Sequence, residues 1–214
     1  MAVLSSLGAG PPDRAGCETR AVADQVPDLP VHRFASAAAW ERWLARNHAR
    51  SSGVWLEIAK KAAAVVTVSY PEVLDVALCY GWIDGVRHKQ DDTYFRQRFT
   101  PRTRTSKWSQ NNRDKVAALV AAGRMQPAGQ AAIDAAKADG RWDAAYAGSR
   151  AIEVPDDLVR ALRRNAKARR AFEQLDSRNR YAILYRVHDA KRPETRARRI
   201  ETFVTMLAEG RTIY

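Results

Sequence analysis

Hydrophobic and polar positions change their period along this chain, and the changes divide it into elements. From Ser36, a residue suited to cap a helix N-terminus, Trp40, Trp43 and Leu44 recur at the spacing of one helical face. This predicts an amphipathic helix over 36–48 that ends in Ser51, Ser52 and Gly53. Next the period drops to two: Val54, Leu56 and Ile58 alternate with Trp55, Glu57 and Ala59, as in a strand with one buried face. The β-branched run at 65–70 predicts a second strand paired with it as a hairpin. Ser69 and Pro71 supply a helix start, and the near-continuous apolar character through Tyr80 predicts a helix buried on most sides and stopped by Gly81.

Beyond it, Asp84 and Gly85 mark a turn or bulge. At 93–99, Phe95, Gln97 and Phe99 fall on one face of a further strand, with Tyr94, Arg96 and Arg98 on the other. Pro101 closes this strand because it offers no N–H to a neighbour. From Ser109 onward the pattern is helical throughout, punctuated by Ser109 and Gly123, Pro127 and Gly140, Pro155, Ser177, and Pro193 and Gly210. Residues 1–30, rich in Gly, Pro and Ala and without sustained periodicity, read as a mobile leader. The fold class expected is α+β: a small antiparallel sheet packed with helices over 31–150, followed by a helical C-terminal region over 151–214.

Composition bounds what such a fold does. With 214 residues, 46% of them hydrophobic, the chain has enough apolar side chains for a sizeable core and is not a disordered protein. The net charge of +12 draws acidic partners without choosing among nucleic acid, anionic lipid and small anions. Cys17 and Cys79 make neither a disulfide framework nor a cysteine-based zinc site, which suits a reducing cytoplasm. No segment approaches the ~18 uncharged apolar residues of a membrane span, and the N-terminus lacks the basic and apolar regions of a secretory signal. A cytoplasmic protein without a membrane span is expected. His32, His48, His88 and His188 stand at no metal-ligand spacing, and no phosphate-binding glycine loop, dinucleotide fingerprint, nucleophile elbow or CxxC pair is present. No metal and no cofactor are expected.

The candidate chemistry centres on 98–115, where basic residues surround the single acid Asp114. Arg98, Arg102, Arg104 and Lys107 follow a strand end into a helix capped by Ser109, which would aim guanidinium forks and free backbone N–H groups at one spot, an anion site. Trp108 adds a stacking face, a feature shared with single-stranded nucleic-acid sites. Trp82 and Asp84, two apart on an extended segment, would form a floor of indole beside carboxylate. His88, four residues after Asp84, would pair with it as acid and base if the segment folds back.

The motifs "VWLEIAKK", "ALCYGWIDG", "RFTPR", "SKWSQNN", "AKADGRWDAAY" and "AKRPETRARRIE", in this order, resemble the bacterial YdeI/OmpD-associated family across roughly 34–210. The resemblance implies an α+β domain of the YdhG-like kind with a helical tail. It also implies a connection to bacteriocin protection and envelope or antimicrobial stress. It brings no reaction and no catalytic residues.

The function expected is binding of an anionic or zwitterionic small molecule or peptide. The pocket would be floored by Trp82 and Asp84 and rimmed by Arg98, Arg102, Arg104, Lys107 and Trp108. Sequence-independent nucleic-acid binding through the same basic face ranks second, and metal-independent catalysis by Asp84 and His88 third. Interleaved acids such as Glu173 and Glu194 mark the basic C-terminal helices as solvated faces.

Overall fold

The computed structural model describes residues 29–214, so the reading of the leader falls outside the described residues except at its last two. Those two are held in place: Leu29 is buried, and the carbonyl of Pro30 accepts the Trp55 N–H at 2.9 Å. The elements run β1 (Val31–His32), α1 (Ala37–Asn47), β2 (Val54–Ala59), α2 (Tyr70–Cys79), β3 (Trp82–Lys89), β4 (Tyr94–Pro101), α3 (Gln110–Ala121) and α4 (Pro127–Ala138). Then follow α5 (Asp156–Arg163), α6 (Ala166–Glu173), α7 (Ser177–His188) and α8 (Pro193–Ala208). The protein is of the α+β class.

The sheet has the order β1-β2-β4-β3 and is mixed rather than wholly antiparallel, because β1 runs parallel to β2. The expected hairpin of 54–60 with 65–70 does not form. Both edges of β2 are taken, by β1 and by β4, so no edge is left for a third partner. Val66 is 85% exposed, and the run is attached through Thr67, whose hydroxyl accepts the Ala59 N–H, and Val68, whose N–H donates to the Phe34 carbonyl. At Asp84 and Gly85 the signal resolves as a bulge inside one continuous strand: the register shifts between Asp84 and Arg87.

Alternation fixes the inward face as the pattern of 93–99 predicted. Phe95, Gln97 and Phe99 are buried and stand on the same side as Val54, Leu56 and Ile58. Trp40 and Leu44 of α1 and Val73, Val76 and Ala77 of α2 cover them. The helix starts follow local chemistry: the Ser36 hydroxyl accepts the Ala39 N–H, Ser69 and Glu72 form a capping box, and Ser109 accepts the Asn112 N–H. Asn165 caps a new helix within what reads as one helical segment after Pro155. A second core, of Leu158, Leu162, Phe172, Ile183, Leu184, Ile200, Phe203 and Leu207, shares no residue with the first. Among the described residues no helix is long and apolar enough to cross a membrane.

Candidate functional site

The segment after β4 is folded by its own polar groups. The Arg102 N–H donates to the Gly81 carbonyl at 2.9 Å, turning the chain over the end of β3. The Thr103 N–H donates to the Ser106 hydroxyl, closing a turn, and Arg141 Nη1 donates to the carbonyls of Thr103 and Ser106 at 3.3 and 3.0 Å. Tyr146 is bound alongside: its N–H donates to the Trp108 carbonyl, and its carbonyl accepts the Gln110 N–H. These bonds bring the loop after α4 onto the start of α3. Trp108 is thereby 2% exposed, with the Arg102 guanidinium 3.5 Å above its ring and Trp142 at 4.9 Å between ring centroids.

This packing leaves hydrogen-bond donors without acceptors. Arg102 Nη1 donates to the Lys107 carbonyl at 3.1 Å, but Arg102 Nε and Nη2 and Trp108 Nε1 are buried with no partner. Buried polar groups are paired in the great majority of cases, so three orphans on two stacked side chains are notable. Burial pushes the Arg102 guanidinium down to about 10, against the opposing influence of Asp84 and Tyr146, which favour its charge. The Asp84 carboxylate accepts the Tyr70 hydroxyl at 2.8 Å and does not hydrogen-bond Arg102. Burial also raises the Tyr70 and Tyr146 phenols, so both stay protonated donors at neutral pH.

Trp108 and Tyr146 form the inner wall of a cavity of about 700 Å³. Its other side is Tyr185, His188 and Asp189 from α7 and the turn after it, so the cavity lies where the sheet-bearing part meets the C-terminal helices. Lys107 crosses the rim to pair with Asp189, and Tyr146 meets Tyr185 edge-on at 5.1 Å. Asp189 adds a nearby cation, Arg199, at 4.0 Å.

Of the residues singled out in the sequence, Lys107 and Trp108 line this cavity, whereas Arg102 does not line it but stacks on Trp108 and bonds the Lys107 carbonyl, with Asp84 favouring its charge. Trp82 does not floor a pocket. It is 1% exposed, its indole N–H donates to the His48 carbonyl, and its ring meets Trp40 and Trp43 edge-on in the core. Asp84 and His88 do not form an acid–base pair, because the bulge between them turns them to opposite faces. Asp84 stands opposite inward-facing Phe99, whereas His88 stands opposite outward-facing Arg96 and packs on Trp55. Arg98 is also on the outer face, opposite Trp55, with Nε unpaired beside Gly85. Arg104 is exposed to solvent. Asn111 packs on Gly148.

Arg141, Tyr146, Tyr185 and Asp189 were not singled out. The available signal was the pair of aromatics Trp142 and Tyr146 in the loop after Gly140, off any helical stripe.

The fold and the cavity define an α+β protein with a helical C-terminal region and a pocket between them lined by aromatic and charged side chains. Residues 151–210, in the C-terminal region, match the family described as Bacteriocin-protection, YdeI or OmpD-Associated. Residues 32–132 match a different description, Domain of unknown function (DUF8412), so the two parts of the resemblance rest on separate matches. No curated protein and no solved structure matches the chain.

Proposed function

We propose that the protein binds a small zwitterionic or anionic molecule, or a peptide bearing such an end, in the cavity walled by Trp108, Tyr146 and Tyr185. The observation that supports this is a lining that sets Lys107, Arg141 and Lys191 beside the rings of Trp108, Tyr146 and Tyr185, with Arg102 Nε, Arg102 Nη2 and Trp108 Nε1 buried without acceptors where Arg102 stacks on Trp108. Each such group costs ~1–3 kcal/mol until an acceptor arrives. A carboxylate or phosphate oxygen supplies what they lack, and a guanidinium fork takes two such oxygens at once. A volume of about 700 Å³ suits a ligand of metabolite or short-peptide size.

The acids Asp143, Glu153 and Asp189 around the same cavity weigh against a polyanion, which places nucleic acid behind this reading. The buried free thiol of Cys79 accords with a cytosolic setting. A role in bacteriocin protection or envelope stress, the association of residues 151–210, is part of the proposal and would act through the bound ligand. Native and then denaturing mass spectrometry of protein purified at low salt tests the reading. A stoichiometric small molecule or peptide that is lost in Arg102→Met supports it; released oligonucleotide, or a species retained equally by the variant, contradicts it.

A further inference from the structure

A second concavity, an open groove of about 490 Å³, lies along α7 from Ser177 to Arg186. Arg178 and Arg186, Ser149 and Ser177, and Tyr181 and Tyr214 line it. The nearest acid in sequence, Asp176, is turned into the helix as its cap, accepting the Asn179 N–H at 2.7 Å and the Asn179 side-chain amide at 3.1 Å. Tyr185 separates this groove from the larger cavity, so the two adjoin without sharing their charged groups.

The groove is built. Asn179 is 5% exposed, and its Oδ1 accepts the N–H groups of both Ile213 and Tyr214 at 3.0 Å, which fixes Tyr214 against α7. The Arg178 guanidinium lies 3.9 Å over the Tyr214 ring, Tyr181 and Tyr185 stand 5.9 Å apart at 40°, and the Tyr181 hydroxyl donates to the Ala147 carbonyl at 3.4 Å. Aromatic faces pack flat rings, guanidinium forks hold phosphate or carboxylate oxygens in pairs, and serine hydroxyls add further donors.

We propose that this groove is a second binding site, for a planar aromatic ring carrying an anionic group, the chemistry of a nucleoside monophosphate. The ring packs against Tyr181, and the anion sits at the Arg178 guanidinium with the Ser177 hydroxyl as a further donor. The site stands on its own residues whether or not the larger cavity holds a ligand.

Isothermal titration of the full chain with adenosine 5′-monophosphate, adenosine and inorganic phosphate tests it. The monophosphate binds, and each half-ligand binds weaker by at least about tenfold, since each forfeits either the guanidinium bonds or the stacking. Arg178→Ala and Tyr181→Ala each weaken the monophosphate by about tenfold or more, while Tyr181→Phe keeps the ring and retains binding. Arg178 is exposed and packs on Tyr214, so its variant stays folded and remains decisive if Tyr181→Ala proves unstable. No heat with the monophosphate, equal affinity for adenosine, or unchanged affinity in Arg178→Ala would overturn the assignment.

Discussion

Replacing Arg102 with methionine separates a binding arginine from a structural one. The side chain is mostly buried, and the depression from 12.5 to about 10 is led by burial, which corresponds to about 3 kcal/mol against the charged form. The substitution loses one hydrogen bond to the Lys107 carbonyl, ~1.5–3 kcal/mol for a charged donor, and the contact over Trp108, ~1–2 kcal/mol. It relieves two unpaired donors at ~1–3 kcal/mol each and fills the space with an adaptable apolar chain.

The two sides nearly cancel, so the ligand-free variant is expected to match the wild type within about 1 kcal/mol, or ~2–4 °C in Tm for a chain of this size. A buried arginine with every donor paired would instead cost ~3–5 kcal/mol on removal. Thermal denaturation followed by circular dichroism, in chloride and then in acetate or phosphate at constant ionic strength, reads both effects. The wild type gains Tm in acetate or phosphate through mass action, and Arg102→Met does not. A variant that melts more than about 6 °C lower in chloride, at ~2–4 °C per kcal/mol, while responding to the anions like the wild type would refute the reasoning.

Three further outcomes follow from particular contacts. Gly129→Ala, a change that ordinarily stabilises a helix interior by ~1 kcal/mol, destabilises here by ~2 kcal/mol in urea unfolding, because its Cβ would lie 2.2 Å from the Cys79 carbonyl oxygen. Trp82→Phe costs ~2 kcal/mol through lost packing and the hydrogen bond to His48, yet leaves anion-dependent stabilisation intact, as expected of a core residue. The hydrogen bond from Arg196 holds the Asp157 carboxyl below its usual range. Its contribution to stability is therefore present above the ordinary carboxylate pKa and lost as pH falls through the depressed one. Asp157→Asn lowers Tm at neutral pH and flattens the acid side of a Tm–pH curve; an unchanged curve would count against this pair.

Elements whose fate depends on local signals were legible in the sequence. Ser36, Ser69 and Ser109 start helices where their types predict, and Phe95, Gln97 and Phe99 turn inward together because period two leaves no other arrangement. What failed depended on partners distant in sequence. Whether 65–70 pairs with β2 was decided by β4 and by the two-residue β1, which carries no periodicity to read. Whether Asp84 and His88 share a face was decided by a bulge whose position only the pairing with β4 reveals. Lys107 and Trp108, which line the candidate cavity, and Arg102, which packs on Trp108, stood out in the sequence through charge density beside an aromatic. Tyr146, Tyr185 and Asp189 were not, because the loop after α4 and the helix α7 meet that segment only in the folded chain.

The central claim concerns three N–H groups, two of which NMR observes directly. In ¹⁵N-correlated spectra, the Trp108 Nε1–H signal is assigned by its loss in Trp108→Phe and the Arg102 Nε–H signal by its loss in Arg102→Met. Both are then followed while acetate, phosphate or the copurified ligand is titrated. The expected result is that both begin at the upfield position of unbonded donors and move downfield together along one binding curve. Signals already downfield in the ligand-free protein, or unmoved while exposed residues such as Lys107 respond, would show that these donors do not await a ligand.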